Sequence, residues 1–330
     1  MPQHISFFKD INKKSVDQAG GKGASLGEMT NAKIPVPPGF VVLANAFNRF
    51  LDETNLHEEI RARLKEVNPE DTNSVDKASA VIRDVIHDHQ MPEDLKKEIL
   101  KAFKELDTEF VAVRSSATAE DSSVASWAGE LETYLNTTEE NVVERVKTCW
   151  SSLFTPRAIF YRHEKNLIDS YVSVAVVVQK MVQSEISGIA FTVHPVIEDP
   201  DQMIIEAGYG LGEAIVSGQV TPDSYVISKS EMSILDINLG MQNRQLIKSK
   251  VKKSVNAKEY QKDEDHANVW VDLSESEGGK QKLTGRQIME LAEICINIEK
   301  HYGFPCDIEW AYEKAKFYIT QSRPITTLKN

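Results

Sequence analysis

No apolar run in this 330-residue sequence approaches the roughly twenty residues that a membrane-spanning helix needs. The opening MPQHISFFKD has neither the basic nor the apolar region of a secretory signal. Cysteine is scarce: Cys149, Cys295 and Cys306 are far apart and odd in number, so no disulfide framework is implied. Cys149 and Cys295 fall on apolar helical stripes, where burial as small hydrophobes is expected. Positive charge is in deficit, with 38 Lys and Arg against 50 Asp and Glu and a net charge of −12. That balance argues against non-specific nucleic-acid binding, which needs a basic face. It leaves room for a small phosphorylated ligand, which needs only a few placed cations. A P-loop is missing as well, since the G-x-x-x-x-G-K-[ST] spacing occurs nowhere. The expected setting is the cytoplasm, with no membrane and no nucleic-acid partner.

What is present is an ordinary globular balance, 41% hydrophobic and 27% charged, in a chain long enough for two domains or one domain in two lobes. Residues 110–136, FVAVRSSATAEDSSVASWAGELETYLN, are the most unusual stretch. An apolar run at 110–113 reads as a buried strand, and Arg114 follows it directly. Residues 115–129 are then small and hydroxyl-rich, with neither helical nor strand period. Loops of this length are functional or disordered. A cation at a strand end, followed by hydroxyls and accessible backbone N–H groups, suits a polyphosphate. A flexible Ser-rich linker is the competing reading, and the pair Glu120-Asp121 offers carboxylates in the same stretch.

Upstream, Gly20-Gly21-Lys22-Gly23 precedes a segment of helix formers. Glycines there permit close backbone approach, the helix start offers N–H groups, and Lys22 adds charge; an ordinary surface turn is the alternative. A Pro-rich turn at 34–38 feeds a strand and then a helix over 44–51. Residues 56–104 read as solvated helices with apolar faces at Val81, Val85, Ile86 and at Leu95, Ile99, Phe103. Thr137-x-x-Glu140 has the form of a capping box before a helix whose face is Val142, Val143, Val146, Cys149, Trp150 and Leu153, with 157–165 a possible continuation. Residues 171–182, YVSVAVVVQKMV, read as a strand buried on both faces. EAGYGLGE at 206–213 is spaced G-x-G-x-G, which departs from the dinucleotide fingerprint. Residues 244–253 and the acidic run at 263–265 read as a solvated excursion. Thr284-x-x-Gln287 caps a helix that Gly303 ends.

The last 25 residues hold a hairpin of 306–312 with 316–322. A turn symmetric about Lys314 pairs Ala311 with Phe317, Glu309 with Ile319 and Asp307 with Gln321. Glu309 and Gln321 are then diagonal neighbours on one face, about 7–8 Å apart. Two such oxygen donors suit Mg²⁺ completed by phosphates and water. Arg323 alternates onto the same face and can meet phosphates. A plain Glu–Arg ion pair explains the same residues equally well.

GGKGASLGEM, VPPGFVV, VRSSATAEDSSVASWAGELETYLN, VVVQKMV, SGIAFT, GYGLGEAIVSGQVTPDSY and DIEWAY…FYITQSRPITTL follow one another along nearly the whole chain. Together they resemble the ATP-binding domain of the phosphoenolpyruvate synthase (pyruvate, water dikinase) family, to which pyruvate phosphate dikinase and rifamycin phosphotransferase are related. The resemblance implies an α+β ATP-grasp fold whose two lobes, with antiparallel sheets, enclose the nucleotide. It divides the chain into an N-terminal lobe, 1–182, with phosphate loop and hinge strand, and a C-terminal lobe, 183–330, with the metal hairpin.

Carried over by motif, Lys22, Arg114 and Arg323 contact phosphates. Ser116, Ser126, Gly129 and Thr133 belong to or flank the covering loop. Gln179, Lys180, Met181 and Val182 form the adenine-binding hinge, and Glu309 and Gln321 are metal ligands. The implied cofactors are ATP and Mg²⁺. The implied reaction splits ATP to AMP and phosphate and passes the β-phosphoryl group to a histidine on a second domain, with pyruvate as final acceptor. The chain ends just after SRPITTL, and none of its eight histidines lies in the Gly/Thr/Ser-rich context of a phosphorylated one. His194, in TVHPV, reads as structural or pocket-edge. A histidine-bearing phosphocarrier domain and an acceptor-binding domain are therefore expected partners, in trans or in a longer enzyme. Rifamycin phosphorylation, a non-catalytic nucleotide module and an acyl-phosphate ligase are the alternatives. The last requires an acceptor-carboxylate site that the residues do not reveal.

Overall fold

The structure, a computed structural model of the chain, describes residues 3–118, 132–165, 167, 172–249, 268–326 and 328. The chain falls into two compact units, Met1–Asn31 with Pro38–Met181, and Ala32–Pro37 with Val182–Asn330. Both are α+β, and every pair of named strands among the described residues is antiparallel.

In the first unit, strands β1 (Ile5–Phe7), β2 (Gly39–Val42), β3 (Val111–Ala117), β4 (Thr133–Thr137) and β5 (Val174–Lys180) form a sheet in the order β1-β2-β5-β3-β4. Its helices are α1 (Val16–Asn31), α2 (Ala44–Glu53), α3 (Leu56–Lys65), α4 (Thr72–Asp88), α5 (Glu93–Glu105), α6 (Val142–Ser151) and α7 (Pro156–Glu164). One face of the sheet, with Phe40, Val42, Val113, Val176 and Val178, joins the apolar stripes of α2 to α7 in a single core. Trp150 lies at its centre, 5.6 and 5.2 Å from the rings of Phe47 and Phe50. The face expected for α6 is buried as read, from Val142 to Leu153. Helix α1 covers the other face, where Gly23 lies against Val41.

Two local readings are corrected. Thr137 does not cap α6, because it is paired with Val111 as the last residue of β4. The chain turns instead through Asn141, whose Oδ1 accepts from the Thr138 N–H at 2.8 Å. Residues 157–165 do not continue α6 either. A short 3-10 turn, Ser152–Phe154, intervenes, and the Thr155 side chain caps α7 ahead of Pro156.

In the second unit, β6 (Ile186–Phe191), β7 (Gln202–Tyr209), β8 (Asp223–Ser228) and β9 (Ser233–Asn238) join β12 (Cys306–Glu313) and β13 (Lys316–Pro324) in the order β13-β12-β6-β7-β8-β9. Strands β10 (Arg244–Lys248) and β11 (Asn268–Asp272) form a separate pair, and the helices are α8 (Glu213–Val216), α9 (Glu275–Gly278) and α10 (Gly285–Tyr302). The Thr284–Gln287 capping box starts α10, and Gly303, at φ 78°, ends it. Residues 244–248 are thus a strand and not a solvated excursion: Leu246 is buried, and the Arg244 guanidinium stacks 4.1 Å from the Trp270 ring. The acidic run at 263–265 lies outside the described residues. The GYGLGE segment leaves β7 through Gly210, at φ 89°, into the four-residue α8 and then the antiparallel β8. A dinucleotide site requires a parallel βαβ crossover, which this connection is not.

An ion pair with no solvent exposure joins this unit's loops to its sheet. Lys282 Nζ donates to Asp223 Oδ1 at 2.8 Å and to the carbonyls of Gly240 and Gly278 at 2.6 and 2.9 Å. Asp223 also accepts from Gly240 N–H, Lys282 N–H and the Tyr225 hydroxyl. Removing one partner leaves the other charged group buried and uncompensated, at a cost of about 3–5 kcal/mol. Lys282→Met is accordingly expected to lower the urea midpoint without changing the slope of the transition, and an unchanged midpoint would refute that role.

A second prediction concerns pH. Burial, and then the Lys147 charge, hold the His87 imidazole below its ordinary value of 6.5. Lys147 Nζ donates to His87 O and His89 O at 2.8 and 3.1 Å, so its charge is fixed beside the ring. Below the ordinary value the unfolded chain takes up a proton that the folded chain resists, so stability falls as pH drops through that window. Urea unfolding at about pH 5 and about pH 7.5 should show this loss, and His87→Asn should reduce it.

Candidate functional site

Arg114 lies on the central strand β3 and is only 9% exposed. It is paired with Val177 of β5 on one side and with Thr133 of β4 on the other. Strand alternation places Ala112, Arg114 and Ser116 on the face covered by α1, with Gln179, the cross-strand partner of Ala112, beside them. Helix α1 is broken at Gly20, whose φ of 68° and ψ of 173° are not helical. A Cβ on Gly20 would lie 2.2 Å from Ser116 Oγ and 2.3 Å from Ser116 O, so only glycine fits there. The Ser116 hydroxyl spans the break, donating to Ala19 O at 3.0 Å and accepting from Gly23 N–H at 3.3 Å. Lys22 therefore sits in the first turn of a helix that restarts after Gly20, where N–H groups and the positive dipole end gather. The structure places Ser116 beneath this turn as its support.

The opposite side of β3 sets the position of Thr133. Ser115 donates twice to the Glu132 carbonyl, from its N–H at 3.2 Å and from its hydroxyl at 2.8 Å. The Glu132 carboxylate accepts from Arg83 at 2.9 Å and from the Tyr134 hydroxyl. Burial and that carboxylate push the Tyr134 phenol up, so it remains a donor. Arg83 belongs to no motif, and Glu132, although it lies within the 113–136 motif, is not marked there as its partner, because the two come together only in the fold. Ser126 and Gly129 lie outside the described residues, as do Glu120 and Asp121. At the end of β5, Lys180 N–H donates to Pro38 O at 2.8 Å and Met181 N–H to Phe110 O at 3.0 Å. Val182, 8% exposed, opens the second unit's main segment.

In that unit the hairpin forms with a different register from the expected one. The turn is the two-residue pair Lys314-Ala315, at φ 49° and 60°, so Glu313 pairs with Lys316 and Trp310 with Ile319. A bulge between Glu309 and Trp310 then shifts the pairing once more. As a result Glu309 lies directly opposite Gln321, and Asp307 opposite Arg323. Direct partners share a face with Cβ atoms about 4.5–5.5 Å apart, closer than the diagonal expected from a symmetric turn. Arg323 does form an ion pair, with Asp307 as its partner: Nε and an Nη lie 2.9 and 2.8 Å from Asp307 Oδ2. Asp307 thus orients the guanidinium, a role that the expected register hid.

Ile308, Ala190, Ile205 and Tyr225, one residue out of phase with Glu309, are buried on the core face of this sheet. Glu309 and Gln321 therefore lie on the other face, in a row that runs on through Ile189 of β6 and Glu206 of β7. His194 is structural, its Nδ1 accepting from Val196 N–H at 3.2 Å and Ile197 N–H at 3.3 Å. Among the described residues no group of three or more His, Cys, Asp or Glu could hold a metal by itself. Two oxygen donors on adjacent strands fit Mg²⁺, which is held by one or two protein ligands when phosphates supply the rest.

Residues 16–330 match the family described as pyruvate phosphate dikinase, AMP/ATP-binding domain. The probable phosphoenolpyruvate synthase of Methanocaldococcus jannaschii is 47% identical over 98% of this chain and 27% of its own length. For the protein of the same description from Archaeoglobus fulgidus the figures are 46%, 98% and 42%. The phosphoenolpyruvate synthase of Pyrococcus furiosus is 40% identical over 98% of this chain and 44% of its own length. The chain thus spans less than half the length of these curated relatives. Among solved structures, a D-alanine-D-alanine ligase from Helicobacter pylori aligns over 69% of this chain and 47% of its own, at 10% identity and a TM-score of 0.28, too remote to inform the site. With the match covering all but its first fifteen residues, the chain belongs to the pyruvate phosphate dikinase AMP/ATP-binding domain family.

Proposed function

We propose that this chain is the ATP-grasp part of a phosphoenolpyruvate synthase-like dikinase. It binds Mg·ATP and passes the β-phosphoryl group to a histidine on a separate domain, leaving AMP and phosphate, with pyruvate as final acceptor. The observation that carries the reading is the direct pairing of Glu309 with Gln321 on the non-core face of the second sheet, beside an Arg323 oriented by Asp307. Lys22 and Arg114 supply the cations, one at a helix start and one on a buried strand. Ser116 supports the Lys22 turn and Thr133 flanks Arg114, while the roles proposed for Ser126 and Gly129 in nucleotide binding rest on the family motif alone. In phosphoryl transfer the protein contributes positioning and charge neutralisation, and this residue set is suited to both. Magnesium, when bound, draws charge from the phosphate oxygens.

At the hinge, the N–H groups of Lys180 and Met181 are engaged by Pro38 and Phe110. The polar edge of adenine is then met by carbonyls of this strand and by Val182, with Gln179 beside Arg114's row. The division of labour follows lobes at 1–182 and 183–330. The need for a histidine domain and an acceptor domain is supported by the fraction of the relatives that this chain covers, and by the phosphoenolpyruvate synthase name they carry. Among the chain's own histidines, His194 is tied into a turn and His87 is half-buried.

Titration calorimetry tests the reading. ATP is expected to bind with Mg²⁺ present and markedly more weakly in chelator. Glu309→Ala should remove that metal dependence, and Lys22→Met should weaken ATP far more than adenosine. Equal affinity with and without chelator would eliminate the metal role of the hairpin. The Gly20 break gives a separate test: Gly20→Ala places a methyl against Ser116. It is expected to cost ATP affinity at least about tenfold, which corresponds to roughly 1.4 kcal/mol. Unaltered binding would show that the Lys22 turn is not part of the site.

A further inference from the structure

Glu206 belongs to none of the motifs that led to the site, yet it lies in the same row. From Glu309 the row crosses Ile189 of β6 to Glu206 of β7 and then Ser224 of β8. Two strand spacings separate the backbones of the two residues, about 10 Å. Glu206 is half-buried between Ile189 and Ser224, with Ile204 beside it on the same face. Among the described residues no hydrogen bond or ion pair engages its carboxylate, and burial raises its pKa above the ordinary value of 4.5 with nothing to offset that cost. A half-buried acid without a partner is destabilising in the empty fold, so a ligand that hydrogen-bonds to it recovers that cost.

The chemistry of that ligand can be narrowed. Magnesium bound to phosphates takes one or two protein oxygens, which Glu309 and Gln321 already supply, so Glu206 is not required as a ligand of the same metal. A phosphate is unsuitable because both groups are anionic. The position needs neutral hydroxyl donors, and a carboxylate is the group that takes hydrogen bonds from a ribose hydroxyl. The backbone separation from Glu309, about 10 Å over two strands, is of the same order as the offset between the ribose and the outer phosphates of an extended nucleoside triphosphate. We infer that Glu206 is the ribose-diol acceptor of the nucleotide site and the residue by which this chain distinguishes ribonucleotides from deoxyribonucleotides. The inference rests on the Mg·ATP reading of the same sheet face.

The test compares ATP with 2′-deoxyATP and 3′-deoxyATP by calorimetry on the full chain with Mg²⁺. Wild-type protein is expected to bind ATP at least about tenfold more tightly than either deoxy form, as loss of a hydrogen bond to a charged group implies. In Glu206→Gln, ATP affinity should drop to near that of the deoxy forms, which themselves change little, while the thermal midpoint stays at or above the wild-type value. Equal wild-type affinity for ATP and both deoxy forms overturns the inference, and needs no variant to be made. So does a Glu206→Gln protein that weakens all three nucleotides alike. If ATP binds and Glu309→Ala abolishes its metal dependence while ribose discrimination is absent, only the Glu206 inference fails. If wild-type protein binds no ATP at all, the nucleotide reading fails and takes the inference with it.

Discussion

The period-two alternation of the β12–β13 hairpin is the constraint on which the metal-binding proposal depends. Each strand of the six-stranded sheet must give one face to the core, and residues such as Ile308, Ile205 and Tyr225 occupy it fully. Glu309, Gln321 and Glu206 are placed on the other face, and a one-residue slip would reverse that assignment. The register is held by a two-residue turn with both residues at positive φ and by a bulge after Glu309. The bulge brings Glu309 level with Gln321 and Asp307 level with Arg323. An acid that orients an arginine and a pair of oxygen donors thus come from one irregularity.

The first unit solves a different problem, which is to hold cations that water would otherwise keep mobile. Arg114 gains its position from a strand paired on both sides, and Lys22 from a helix broken at Gly20. The two are coupled through Ser116, which lies two residues beyond Arg114 and bonds across the break. The same strand's other face carries Ser115, which ties Glu132 and hence Thr133 into place. Neighbouring hydroxyls on one strand, pointing in opposite directions, therefore support two different parts of the proposed phosphate site.

The buried pair of Lys282 and Asp223 shows how a polar cluster can be structural in a chain rich in functional candidates. Its atoms are satisfied by one another and by backbone, so it has no capacity left for a ligand. Glu206 is the reverse case, with desolvation and no compensation. The distinction rests on partners more than on burial, and partners are set by which strands lie side by side.

Much of this protein was legible in its sequence because the relevant signals are local. The apolar stripe from Val142 to Leu153, the Thr284–Gln287 cap, the Gly303 stop and the Val-rich β5 all depend on spacing within a few turns or strand residues. The ordered motifs identified the family for the same reason, since each is short and contiguous. Thr137 and the 244–248 segment were misread where sheet pairing overrode local preference. The register of Glu309 with Gln321, the Asp307–Arg323 pair, the Ser116 bridge to Gly20 and the isolation of Glu206 were decided only by tertiary structure. They join residues that are 12 to 97 positions apart, or depend on a turn and a bulge whose geometry no local pattern specifies. A sequence determines which groups are available, whereas strand pairing determines which of them share a face.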